Sequence, residues 1–184
     1  MWHVWKHFKT INYHKWLVFC HCCRAGIVWR GLVHDLSKYH FQEFIPGAKF
    51  YAGHHSPNVT ERNLYGYSKA WLHHKGRNRH HLEYWVDYNP KLQRVAGIEM
   101  PIVFLIEMIC DRLAASKVYL GAAYTDRSAL EYFERSRHVS LIHPKTEILL
   151  AGALHYLANC GEKALFEWLR QLRKATKKAK KTNR

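Results

Sequence analysis

No stretch of this sequence is long and apolar enough to span a bilayer. The longest apolar runs, such as residues 102–106, are bounded by Glu99, Glu107, Asp111 and Arg112, and a spanning helix needs about 20 consecutive apolar residues. Alternating strand patterns closed by Asn-Gly or Asp-Gly turns are also missing, which argues against a substantial sheet. Cysteine is sparse and odd in number, five, with three crowded into Cys20-His21-Cys22-Cys23, so no disulfide framework is expected. The amino terminus lacks a basic segment followed by a continuous apolar run, and the chain reads as reduced and cytoplasmic with no secretory signal. Acidic residues are few, 14 Asp plus Glu against 29 Lys plus Arg, for a formal charge of +15.

What is present suffices for one domain. With 48% apolar residues in 184, the chain can bury a core without covalent staples. The excess charge should attract phosphates, nucleic acid or anionic lipid. Part of it sits in residues 170–184, with eight Lys or Arg and no acid, which read as a frayed helix end or disordered basic arm beyond a helical domain of residues 1–169. Fifteen histidines are harder to explain, since His is the commonest neutral metal ligand and the usual proton carrier near pH 7.

Helical signals dominate. The spacing predicts a helix over about 10–24 ended by Gly26, with Ile11, Trp16 or Leu17, Phe19 and Cys23 on its apolar side. A second is predicted from about Trp29, carrying His34 and Asp35 in its middle and closed by Pro46-Gly47. Residues 54–59 read as an exposed loop, followed by a helix from Tyr67 and Ser68 to His74, a break at Gly76-Arg77-Asn78 and a short helix over about 79–86. A long helix from Pro101 to about residue 120 places Glu107 and Asp111 on one face. Asp126 is a candidate N-cap, Pro144 begins another helix, and Asn159-Cys160-Gly161 separates it from a last one. The tryptophans recur at helical spacing and read as core or helix-contact residues.

Gly31-Leu32-Val33-His34-Asp35-Leu36-Ser37-Lys38 is the most informative segment, because it sets His, Asp and Lys among Leu and Val. A buried carboxylate needs a partner, so this pair should meet a metal, a cation or neighbouring donors. Alone the dipeptide means little. In order along the chain, however, stand His14, the His34-Asp35 pair, His73 and His74, His80 and His81, and Asp111.

The resulting H…HD…H…H…D order resembles the HD superfamily. The strings His14-Lys15-Trp16-Leu17-Val18, Gly31 through Tyr39, Ala70-Trp71-Leu72-His73-His74-Lys75-Gly76-Arg77-Asn78, His80-His81-Leu82-Glu83-Tyr84-Trp85 and Cys110-Asp111-Arg112-Leu113-Ala114-Ala115-Ser116-Lys117 are similar to an uncharacterised bacterial and phage family related to HD domains. The resemblance implies an all-α, single compact HD-like bundle that holds one or two divalent metals. It implies His14, His34, Asp35 and Asp111 as ligands, with Asp35 bridging if two metals bind. His74 and His80, nearest the turn, are taken to complete the set, with His73 and His81 behind them or packed on Trp71 and Trp85. Such ligands suit Mn, Fe, Co, Ni or Zn.

Lys38 follows the pair by one turn, where many HD phosphohydrolases place a phosphate-binding lysine, and Arg77 and Asn78 stand at the turn between the histidine doublets. These residues make a small phosphate ester or nucleotide the expected substrate, with Asp35, Lys38 and Arg77 as catalytic groups. Two other readings stay open: a mixed-valence di-iron oxygenase of HD type, and a non-catalytic protein that binds nucleic acid or a membrane surface and keeps a structural metal. Glu107 is read mainly as a helical neighbour of Asp111, and the cysteine cluster as small buried thiols.

Overall fold

The computed structural model describes residues 3–182. In chain order it contains α1 (Val4–Ala25), α2 (Val28–Val33), a 3-10 turn (Leu36–Tyr39), α3 (Phe41–Lys49), α4 (Pro57–Tyr65) and α5 (Lys69–Arg77). After a second 3-10 turn (Leu82–Tyr84) come the strands β1 (Val86–Asn89) and β2 (Arg94–Gly97), then α6 (Ile102–Leu120), α7 (Ser128–Ser136) and α8 (Pro144–Thr182). The fold is compact and almost wholly helical. The two strands form a single antiparallel hairpin with Val86 opposite Gly97. No helix among the described residues is long and apolar enough to cross a membrane.

The centre of the molecule is α6, in which six consecutive residues, 105–110, are buried. A helix enclosed on all sides needs no amphipathic stripe. It packs against α1 and α8, and α8 contributes Leu150, Leu154, Leu157, Leu165 and Leu169, all fully buried. Each such leucine stabilises the fold by roughly 1.5–3 kcal/mol relative to exposure.

Helix α1 begins earlier than its apolar spacing predicts, and its buried face differs. Trp16 and Cys23 are exposed, whereas His7, His14 and His21 all point inward. The three imidazoles have separate tasks. His7 lies over Gly47, where an added Cβ would come within 2.1 Å of its ring nitrogen, and His21 Nδ1 lies 3.1 Å from the Cys110 carbonyl. His14 belongs to the site described below.

The largest correction concerns His34 and Asp35. They do not sit inside a helix: α2 stops at Val33, His34 is extended, and Asp35 adopts a left-handed conformation with φ 51° and ψ 32°. A continuous helix would have turned the two side chains about 100° apart. The break lets both face one point. Asp tolerates this region better than most residues, and the strain marks a place where geometry outranks local preference. Leu32, Leu36 and Phe41 are exposed as a result. Pro46 and Gly47 lie within α3, where Gly47 serves the close approach of His7 rather than a helix end.

Three smaller elements also differ from expectation. The segment read as a loop contains α4, whose start is set by Ser56 capping Asn58 N with Pro57 in the first turn. In place of a short helix over 79–86 there is the 3-10 turn, and Asn89 opens the hairpin loop by accepting from the amides of Lys91 and Leu92 at 3.0 and 3.1 Å. Asp126 does not cap α7; it takes the Tyr124 hydroxyl at 3.4 Å. Helix α8 bends at Gly161, with φ 78°, and then runs to Thr182 with no interruption at residue 170. Trp5, Trp16 and Trp29 are exposed rather than core; Trp2 lies outside the described residues.

Candidate metal centre

The break after α2 aims the Asp35 carboxylate into the space between α1, α5 and α6. Its two oxygens face different neighbours. Oδ2 lies 3.3 Å from His34 Nε2 and 2.7 Å from Lys38 Nζ, whereas Oδ1 lies 3.4 Å from His74 Nε2 and 3.3 Å from His80 Nε2. From α6, Asp111 sets Oδ1 2.9 Å from His14 Nε2 and 3.6 Å from His34 Nε2. Its Oδ2 is 3.8 Å from His80 Nε2.

These side chains form two groups that share Asp35, and His34, His80 and Glu107 make a third, smaller one behind them. Of the first two, one comprises His14, His34, Asp35 and Asp111, the other Asp35, His74, His80 and His81, and within each the ligand atoms lie within 4.8 Å of one another. Bonds of about 2.0–2.2 Å to one ion set tetrahedral donors about 3.3–3.6 Å apart, which lies inside that limit. His34 Nε2, His80 Nε2 and Asp35 Oδ1 are buried and make no hydrogen bond, while His14 Nε2 and Asp35 Oδ2 meet the Asp111 carboxylate and the Lys38 ammonium. Unsatisfied buried polar atoms are costly; converging here, they fit the donor set of a divalent cation. The groups can therefore hold a metal ion.

Behind the imidazoles stand two carboxylates that fix their orientation. Glu107, one turn before Asp111, is fully buried and accepts from His34 Nδ1 at 3.1 Å, while its other oxygen accepts from Arg30 Nε at 2.7 Å. His80 Nδ1 lies 3.3 Å from the same Glu107 Oε1. Glu43 on α3 takes the Nδ1 of His73 at 2.5 Å and of His74 at 2.7 Å. Pinning Nδ1–H in this way turns the Nε2 lone pairs of His34 and His74 toward Asp35.

Electrostatics agree with a cation-binding role. Burial alone would raise the Asp35 pKa, but His34, Lys38, His74 and His80 hold it well below the usual range, and His14 and His34 do the same for Asp111. Glu107 is likewise pulled down to about 2 against its burial, by His34, His80 and Arg30. Burial and the nearby Lys38 push His14 down to about 4, and burial with His80 and His74 holds His81 well below its ordinary value. Burial depresses His34, yet Asp35, Asp111 and Glu107 together raise it well above 6.5. The ionised carboxylates and the neutral His14 and His81 suit metal ligation, whereas His34 is held protonated by the carboxylates around it and would release that proton on binding a metal.

Of the expected ligands, His14, His34, Asp35, His74, His80 and Asp111 are all brought together. His81 joins them, with Nε2 2.8 Å from His74 Nε2 and its ring 4.8 Å from Trp71. His73 stands behind, on Glu43. Lys38 reaches Asp35 with its side chain 30% exposed, so it stands between the centre and solvent. Arg77 does not face the cluster: it is exposed and its guanidinium returns to the His73 carbonyl at 3.3 Å. Asn78 is buried, and its amide is spent on Ser37 Oγ and the His74 carbonyl, each at 2.8 Å. It holds the end of α5 to the turn after Asp35. Glu43 was not singled out by the sequence, and its single carboxylate among apolar residues gave no spacing to notice. Cys22 is buried but Cys23 is exposed, and no cysteine belongs to a metal-holding group among the described residues.

Over residues 3–155 the chain matches the model of a family described as a family of unknown function, DUF5662. That span contains every residue of the cluster. No curated protein and no solved structure matches the chain, and neither finding connects it to the HD superfamily. Because the match covers most of the sequence, the chain belongs to the DUF5662 family.

Proposed function

We propose that this protein hydrolyses phosphate esters at a centre of two divalent transition metals, drawn from Mn, Fe, Co, Ni and Zn, that share Asp35. The observation that carries this reading is the division of the Asp35 carboxylate, one oxygen toward His34 and the other toward His74 and His80. His14, His34 and Asp111 complete one half, and His74, His80 and His81 the other. The order of these residues along the chain supports kinship with HD phosphohydrolases, and the five unpaired cysteines suit a reducing, cytoplasmic setting.

Held by these residues, divalent metals would supply Lewis-acid polarisation of a phosphoryl oxygen and a bound water of lowered pKa. The chain's own groups supply the rest. Asp35 and Asp111 are ionised throughout the neutral range, and Glu107 and Glu43 keep the imidazoles in the ligating tautomer. Lys38, whose burial is outweighed by Asp35 and Asp111 so that its pKa is raised, stays protonated. Its ammonium offers charge to phosphoryl oxygens at the open side of the centre.

The set of four histidines and two aspartates also suits a second reading, a mixed-valence di-iron centre that activates dioxygen, as in HD relatives that use the same six ligands. Elemental analysis after anaerobic purification separates the two, together with a screen of phosphate esters in the presence of Mn, Co, Ni and Mg. The hydrolase reading expects Asp35→Ala to abolish both metal content and hydrolysis; retention of both sinks it.

A further inference from the structure

An open cleft of about 720 Å3 lies where the start of α2, the start of α6 and the second half of α8 meet. Its walls are almost wholly apolar, with Ile27, Val28 and Trp29 on one side and Ile102 and Val103 on the other. Trp29 is 70% exposed, and Val28 beside it 46%. An indole and a valine so open to water at the mouth of an apolar cleft mark a surface that is covered in use.

The rim determines by what. The lining includes Arg30, Arg173 and Lys177 and no carboxylate. Arg30 is committed to Glu107. Arg173 and Lys177, four residues apart on one face of α8, form no ion pair among the described residues. The surrounding sequence reinforces them: no acidic residue precedes Asp35, and none follows Glu167.

A partner for this face needs apolar matter to fill the cleft and anionic groups to meet the two cations. Nucleic acid meets the cations but leaves the valine and isoleucine walls uncovered. A second copy brings its own +15 charge and sets cation against cation. A bilayer containing anionic phospholipid supplies both acyl chains and phosphates. We propose that this face docks on such a bilayer, with Trp29 entering the boundary between headgroups and acyl chains and Arg173 and Lys177 pairing with lipid phosphates. The chain then lies on the surface without spanning it.

The test is co-sedimentation of the full chain with vesicles of phosphatidylcholine alone and with vesicles carrying one-third phosphatidylglycerol, with tryptophan emission recorded in parallel. The chain should bind the anionic vesicles with a blue shift and leave the neutral ones unbound. The double variant Arg173→Glu, Lys177→Glu should lose more than tenfold in vesicle affinity, since each cation near an anionic surface contributes roughly fivefold. Trp29→Ala should weaken binding and abolish most of the blue shift. Arg135→Glu with Lys145→Glu, a matched change of net charge on exposed residues of α7 and of the opposite end of α8, should bind within about threefold of the parent. Circular dichroism confirms that each variant is folded. Equal losses in the two double variants would show mere adsorption by net charge and overturn the proposal. So would a dimer disrupted by Trp29→Ala, or capture of monomeric oleate without any binding to vesicles.

Discussion

Glu107→Gln tests how the imidazoles are held. In the parent protein both carboxylate oxygens accept, one from His34 Nδ1 at 3.1 Å and the other from Arg30 Nε at 2.7 Å. A glutamine of the same shape has one acceptor and one donor, so its amide nitrogen must face either Arg30 or His34. Facing Arg30, it leaves the half-buried guanidinium without its acceptor. Facing His34, it forces the ring into the other tautomer and places a proton on Nε2, the atom directed at Asp35 and Asp111. Loss of such an orienting partner typically weakens metal binding 10- to 100-fold, or about 1.4–2.7 kcal/mol. Competition titration of the folded variant against a chromophoric chelator measures this directly. The expected result is a 10- to 100-fold weaker site; affinity equal to that of the parent would show that Glu107 does not orient His34, and would refute the reasoning.

Lys38→Ala should lower phosphate-ester turnover by about 10²–10³-fold, the usual cost of one charge-stabilising donor, at unchanged metal content. Arg77→Ala, at an exposed position turned back onto His73, should alter turnover by less than threefold in the same assay. Leu113→Ala removes a fully buried side chain from α6 and should cost about 2–5 kcal/mol in urea unfolding. Away from the candidate metal centre, Lys117 and Arg24 pull Glu162 down to about 2 against its burial. A depressed carboxylate stabilises the fold above its unfolded value near 4.5 and loses that contribution as pH falls toward 2. Through this group alone the parent should lose on the order of 1–2 kcal/mol over that window once solvent screening of the exposed Arg24 is allowed for, and Glu162→Gln should show a flatter curve in acid unfolding followed by circular dichroism; identical curves would contradict the assignment.

The positions of α6 and α8 were legible because Pro101, Pro144 and Gly161 punctuate long apolar stretches, and these are local signals. The residues of the buried cluster could be picked out by their order along the chain, although spacing did not decide between the histidine doublets. His81 belongs with His74 and His80 because the chain after Asn78 folds back in a 3-10 turn rather than a helix. The buried face of α1 departs from its apolar spacing for a physical reason: hydrophobic periodicity assumes that polar residues face water, yet His7 packs on Gly47 and Phe44, His14 meets Asp111 and His21 meets the Cys110 carbonyl. The same assumption placed Trp16 and Trp29 in the core. The left-handed turn at Asp35 had no local signal, since nothing but the convergence of α1, α5 and α6 makes that conformation worth its strain.

The central claim is that one carboxylate joins two metal sites, and elemental analysis of the reconstituted chain, after removal of loosely bound ions, tests it most directly. The account predicts two metal ions per chain for the parent, one for His14→Ala, and fewer than one for Asp35→Ala, with all three proteins folded. A parent that takes up no metal, or an Asp35→Ala variant that retains two, would contradict it.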